Sequence, residues 1–302
     1  MKYKSGVMTL GQRKQKTNRR AAAVFIFPAL VVLLIFIIYP IIESFRISFY
    51  EWNGISAVKK FVGLDNWGKL ITDKTFRAAF FNNILVLVLS IVIQLPIALL
   101  LATFLNFIGR RGKILKCLWF IPMLMSSVAV GFLFKYVFST TDGIFTTISK
   151  MFGGRAVDLL GSPKYALITV IFIICWQFIP FYMVFFLAAF SGISPEIYEA
   201  AIIDGSTKPE YFRYIVLPLL KPAIRNASVL SMVGSLKYFD LIYVITNGGP
   251  GTATELMATY MYKLSFKKFN MGYGSAVACG MLIVISVIAS LTMKLTSEKQ
   301  GD

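Results

Sequence analysis

The 302-residue chain has no histidine, only three cysteines, and 14 acidic residues against 31 Lys and Arg. Each shortage excludes something. Without histidine there are no His-ligated metal sites, no Ser-His triads and no imidazole proton relays. Cys117, Cys175 and Cys279 stand at unrelated spacings within apolar stretches, so no CxxC motif or disulfide framework is present. No P-loop and no HExxH pattern occurs. The chain therefore does not read as a self-contained ATPase or metalloenzyme, and it predicts no cofactor or metal of its own. Charge is scarce too: charged residues make up 15% of the chain and hydrophobic ones 57%, with mean hydropathy +0.72. A soluble domain of this length needs far more polar surface.

What is present is apolar and comes in runs. Ala21–Ile42 is 22 residues without a charge, Ala78–Gly109 is 32 and Cys117–Phe134 is 18. Tyr165–Pro195 is 31 and Phe269–Met293 is 25. About 20 apolar residues cross the hydrocarbon core as a helix, so these five windows predict transmembrane spans. Leu217–Thr246 predicts a sixth, although it contains Lys237 and Asp240. A charge at the bilayer centre costs about 2.5–3.5 kcal/mol, so these two should face protein or water. At a spacing of i, i+3 they would share one helix face and can pair. The expectation is an all-α membrane protein with six transmembrane helices.

Residues 1–20 hold seven Lys or Arg and no acid, which predicts a cytoplasmic N-terminus. Six spans then return the C-terminus to the cytoplasm. Ala21–Ile42 is too long, and lacks the small-residue cleavage site, to be a removed signal peptide. The organisation read from this is a basic tail 1–20, a membrane domain 21–296 and a short tail 297–302. The +17 net charge does not indicate nucleic acid, because the basic residues are scattered at helix ends; contact with membrane lipid accounts for them. Outer loops fall near 48–76, 139–164 and 246–271, the second carrying a short lateral helix. Ser126 and Ser127 near Pro122 mark a place where the third span is loosened. Asn82, Asn83 and Gln94 predict polar contacts between helices.

The cytoplasmic loop 194–218 contains YEAAIIDGSTKPEYFRYIVLP over 198–218. Ser194 suits a helix N-cap and Pro195 the first helical position. Gly205 suits the left-handed residue after a helix end, and Thr207 with Glu210 makes a capping box for a second helix. The result is a helix–turn–helix along the membrane surface, with Ala200 and Ala201 permitting close approach. It is either a docking knob for a cytoplasmic partner or an ordinary amphipathic connection.

Here a resemblance adds to the reading. EAAxxDG followed by FxxIxLP resembles the EAA loop of ABC-importer permeases, carried here by Glu199, Ala200, Ala201, Asp204, Gly205, Phe212, Ile215, Leu217 and Pro218. FPALVVLLIFIIYPIIESFRISFYEW, FVGLDNW, FIP and YVITNGGPGTAT resemble the carbohydrate branch of that family, in its maltose- and glycerol-phosphate-type permeases. The resemblance covers nearly all of the chain beyond the basic tail. It implies the type I importer permease fold, with a coupling helix between the fourth and fifth helices. It also implies location in a bacterial plasma membrane and a second, MalG-like permease subunit. Two cytoplasmic ABC ATPase subunits would bind ATP and Mg, and an extracytoplasmic solute-binding protein would deliver a carbohydrate. Glu199 through Gly205 would sit in the ATPase cleft. Matching to the maltose-type permease implies a substrate path at Trp176, Gln177, Phe178, Phe181, Ser231, Ser235 and Tyr238. Phe178 and Phe181 equally suit bundle packing. Lys237 could meet an anionic sugar or simply neutralise Asp240. Two alternatives remain: an importer for glycerol phosphate, amino acids or peptides, and an ion-coupled transporter, which would need buried acids in several spans.

Overall fold

The computed structural model of the protein describes residues 24–296. The basic tail 1–20 and the C-terminal tail 297–302 lie outside the described residues. The first span, α1 (Val24–Ile47), is 24 residues long, and its most apolar window is 0% buried against the rest of the chain. Its hydrogen bonding loosens to a π-type segment at Leu34–Ile38, just before Pro40, which has no amide to give the helix. A two-residue hairpin follows, β1 (Tyr50–Glu51) against β2 (Lys60–Phe61), with the Tyr50 and Phe61 rings 5.4 Å apart. The short helix α2 (Asp65–Thr72) comes next.

α3 (Lys74–Ile108) is 35 residues long. Asp73 caps it, its Oδ1 accepting from the amides of Thr75 at 2.7 Å and Phe76 at 3.2 Å. Midway, α3 passes through a π-type turn at Ser90–Gln94, directly ahead of Pro96. α4 (Lys113–Leu124) and α5 (Ser127–Val137) then meet at 94°. The apolar run Cys117–Phe134 is therefore not one straight span, as its composition predicts. Pro122 lies inside the last turn of α4, Met125 is extended, and Ser126 restarts the helix by accepting from the amide of Val128 at 3.3 Å.

α6 (Ile144–Met151) is the short helix expected in the second outer loop. α7 (Ala166–Phe190) is the central rod, 56% of its most apolar window being buried. It is apolar on every side, as a helix packed all round must be. Beyond it come α8 (Pro195–Ile203), the continuous helical stretch α9 (208–219) and α10 (Lys221–Ser235). α11 (Asp240–Ile245) follows after a break, then α12 (257–267) and the long last helix α13 (Met271–Thr296).

The break corrects one expectation. Helix α10 stops at Ser235, so Lys237 and Asp240 do not share a helix face. Both are exposed, and no ion pair joins them among the described residues. The physical reason lies on α3. The Asn83 amide donates to the carbonyls of Ser235 and Leu236 at 3.4 and 3.5 Å, taking up groups the ending helix leaves free. Four helices (α1, α3, α7 and α13) are long and apolar enough to cross a membrane, and α4–α5 makes a fifth if the bent pair is one span.

Two apolar cores flank the middle of α7. One joins it to α5 and α11 through Phe134, Ile171, Ile174, Ile242 and Ile245. The other joins it to α3 and α9 through Leu105, Phe186, Tyr211 and Val216. Inside lipid such contacts are held by close packing rather than by escape from water. Gly131 shows how close: a Cβ there would collide with Val244 of α11.

Candidate functional site

Loop 194–218 folds as its sequence dictates. Pro195 opens α8, although Ser194 occupies the cap position by backbone geometry alone, its hydroxyl making no capping bond. At the other end Gly205 adopts φ +81°, which lets the chain turn back. Its amide donates to the carbonyl of Ile202 and that of Ser206 to Ala201, both at 2.9 Å, closing a Schellman motif. The capping box of α9 is present: Glu210 accepts from the Thr207 amide at 2.8 Å and from its hydroxyl at 2.6 Å. Those bonds from Thr207 hold the Glu210 carboxyl below its ordinary pKa.

This knob is tied to the bundle on one side and bare on the other. Ala201 is buried at 4% exposure, whereas Glu199, Ala200, Ile203, Asp204 and Gly205 are exposed. The sequence pairs the two alanines; the structure turns them opposite ways. Tyr198 and Tyr211 meet edge to face at 4.9 Å, and Phe107, near the end of α3, lies 6.4 Å from each. Burial raises the Tyr211 phenol above its ordinary pKa. A cavity of about 400 Å³ beside this trio is lined by Asn106, Phe107, Phe190, Ser194, Tyr198 and Tyr211.

The expected path residues lie at mid-bundle on α7, α10 and the break beyond it. Trp176 packs edge to face on Phe134 at 5.1 Å, and Phe178 lies 5.4 Å from Tyr238. Phe181 meets its neighbour Tyr182 edge to face at 5.1 Å and is 37% exposed. Gln177 donates to the carbonyl of Met125 at 3.2 Å, pinning the α4–α5 bend, while its Oε1 has no partner. Ser231 and Ser235 are buried and their hydroxyls are unpaired. Lys237 instead lines the rim of an apolar cavity of about 370 Å³ between α1 and α13, with Pro40, Ser44, Cys279 and Ile285.

The sequence marks Gln94 as a polar contact between helices, which the structure corrects, and gives no sign of Ser90. Ser90 and Gln94 on α3 are fully buried, and Ser90 Oγ and both amide atoms of Gln94 lack hydrogen bonds. The proline two residues beyond Gln94 was the available signal, since it forces the helix to loosen there. An unpaired buried polar group costs about 1–3 kcal/mol, so this cluster is an expensive arrangement for a mere scaffold.

The polar contacts expected of Asn82 and Asn83 are present, and they belong to clasps in loops 48–76 and 246–271 that the sequence does not announce. In GLDNW, Asn66 donates to the carbonyls of Ser48 and Tyr50 at 2.9 and 3.0 Å, and the Trp67 indole to Ser48 Oγ at 3.1 Å. In the loop after TNGGP, Glu255 pairs with Lys263 at 2.6 Å and accepts from Thr259 at 2.7 Å. Lys263 also donates to the Asn247 carbonyl at 2.7 Å. Gly248, at φ +78°, packs where a Cβ would strike both charged groups. Asn82 donates to the carbonyls of Thr252, Ala253 and Glu255 at 3.0–3.2 Å, and Asn83 accepts from the Met257 amide at 2.9 Å. Asp73 Oδ2 accepts from Tyr260 and Tyr273, each at 2.5 Å. Burial pushes the Asp73 carboxyl up, but those hydroxyls and the two capped amides outweigh it and hold it below its ordinary pKa.

Known proteins share this fold. A solved bacterial ABC transporter involved in import of the acidic polysaccharide alginate has a chain of the same fold. The TM-score is 0.82 at 24% identity, covering 96% of this chain and 100% of that one. The lactose transport system permease protein LacF of Rhizobium radiobacter is 32% identical, over 91% of this chain and 94% of its own. A probable ABC transporter permease of Pyrococcus horikoshii, PH1215, is 35% identical over 87% of this chain and 91% of its own. Residues 94–299, from the unpaired Gln94 through the whole of loop 194–218, match one family in particular, and the chain belongs to it: the binding-protein-dependent transport system inner membrane components.

Proposed function

We propose that this chain is the permease subunit of an ATP-driven carbohydrate importer, forming half of the translocation path. Loop 194–218 docks on a cytoplasmic ATPase subunit, with Glu199 making the polar contact and Asp204 and Gly205 the turn. Two such ATPases hold ATP and Mg; a second, MalG-like permease completes the path, and an extracytoplasmic binding protein delivers an oligosaccharide. Six spans place both termini in the cytoplasm, the fifth being α10 and α11 around their break. The sugar passes Gln177, Ser231, Ser235 and Tyr238, flanked by the rings of Trp176, Phe178 and Phe181.

One observation carries this reading: the loop is locked to α3 and α7 by Tyr198, Tyr211 and Ala201 while its Glu199–Asp204 face is bare. A rigid knob of that kind passes displacement to spans, which an idle connection has no need to do. The relatives named for lactose and alginate support a sugar as the solute. The mostly neutral interior disfavours an ion-coupled transporter. The test is uptake of labelled oligosaccharides into vesicles holding the chain with its partner permease, ATPase and binding protein. Uptake is expected to require ATP and to collapse in Glu199→Ala, a change at an exposed site that leaves the fold intact. Uptake that ignores ATP and follows an ion gradient would sink the proposal.

A further inference from the structure

Asn83 and Gln94 are carboxamides on the same helix, and both are fully buried. Asn83 bonds through both its nitrogen and its oxygen. Gln94 bonds through neither. A side chain whose job is to staple helices looks like Asn83. Gln94 instead sits in the π-type turn, which packs on both α7 and α10. There its amide lies beside the Cys175 thiol and the Tyr238 hydroxyl, close enough to be felt by both, yet neither amide atom has a partner at full hydrogen-bond geometry. Ser90, one turn away, is unpaired as well, and so are Gln177 Oε1, Ser231 Oγ and Ser235 Oγ. π-type turns inside α-helices recur at functional sites.

The chemistry of the set is uniform. It offers an amide, hydroxyls and a phenol, and no formal charge. The one buried charged side chain among the described residues, Glu255, is already paired with Lys263 in the third outer loop. A sugar hydroxyl both donates and accepts, and so do these groups. A phosphate or uronate would need a cation as well as donors.

We propose that Ser90 and Gln94 of α3 complete a charge-free hydroxyl-binding site with Gln177, Ser231, Ser235 and Tyr238. The site opens during the transport cycle and selects neutral sugars. This rests on the importer reading, extends the path to a third helix, and gives the solute a chemical class.

The whole complex in liposomes tests it, with Cys117, Cys175 and Cys279 replaced by alanine. Ser90→Cys and Gln94→Cys are treated with a membrane-impermeant methanethiosulfonate, nucleotide-free and trapped with ATP and vanadate. Modification is expected to be about tenfold faster in one state than the other. Equally slow modification in both states would make the cluster a dry core and overturn the proposal. Gln94→Leu, which keeps the volume and removes the unpaired amide, gives the second readout. Its half-saturating concentration for whichever of tritiated trehalose, lactose or arabinotriose is transported should rise about tenfold, the effect of one lost hydrogen bond. Its melting temperature should be unchanged or higher. A more stable variant with unchanged uptake, or wild-type uptake of glycerol phosphate or an alginate trisaccharide, would equally overturn the proposal. Wild-type uptake without ATP would defeat the importer reading itself, whereas ATP-driven uptake with silent variants defeats only this inference.

Discussion

The Asp73 end of α3, where α12 and α13 pack on it, and the middle of α3 treat polar groups in opposite ways. At the Asp73 end Asn82, Asn83, Asp73, Glu255 and Lys263 all find partners within the chain. At mid-bundle Ser90 and Gln94 find none, and Gln177 only half of its capacity. The same residue types, on the same helix, serve as fasteners in one place and are held open in the other. Polarity inside a membrane bundle is therefore not one signal: paired groups fasten the chain, and unpaired ones, under the proposal above, await a partner from outside.

Substitutions can break or sharpen that contrast. The largest effect is expected at the ion pair of buried Glu255 with half-buried Lys263. Lys263→Met leaves the Glu255 carboxylate uncompensated and should cost about 3–5 kcal/mol, read as a fall in the melting temperature of the purified complex. Adding Glu255→Gln should recover part of the loss; no recovery would show that the pair is not the source. Asn83→Leu strands two carbonyls and an amide and should cost about 2 kcal/mol on the same measurement. If Asn83→Leu were silent, the fastener reading of the Asp73 end would fail.

A smaller effect follows at Asp73. Its pKa is depressed in the folded protein, so its contribution is full above the ordinary carboxylate range and is lost as pH falls below about 4. Asp73→Asn should lose about 1 kcal/mol near neutral pH through the weakened cap. The difference from wild type should shrink on acidification; a gap that holds at pH 3 would refute the assignment. Ser235→Ala, at the other pole, should shift stability by less than about 0.5 kcal/mol, because no bond within the chain is lost.

What the sequence reveals and what it conceals divide along range. The turn at Gly205 and the box of Thr207 with Glu210 are set by neighbours within four residues, so they are legible. Apolar length reveals α1, α3, α7 and α13 for the same reason. The break after Ser235 is not legible, because the donor that accepts its cost is Asn83, far away on α3. The α4–α5 bend is only half legible: Pro122 and Ser126 hint at it, while Gln177 supplies the bond to Met125. GLDNW and TNGGP are recognisable as motifs, but nothing local says that Asn66, Trp67 and Glu255 are fasteners and not sugar contacts. Gln94 is the hardest case, since its meaning lies in bonds it does not make.

α3 can finally be considered as a beam. One end is clamped where Asp73 meets Tyr260 and Tyr273, and the other carries Phe107 against the two tyrosines of loop 194–218. A beam driven at one end and fixed at the other flexes at its softest cross-section. In α3 that is the π-type turn at Ser90–Gln94 followed by Pro96, where regular hydrogen bonding is already interrupted. A push of the loop of about 1–2 Å, the order of shift packed helices make, would thus be delivered at the middle of α3, at Gln94. Spin labels on either side of the turn should report a change of angle there between nucleotide states, with both halves of the helix otherwise straight.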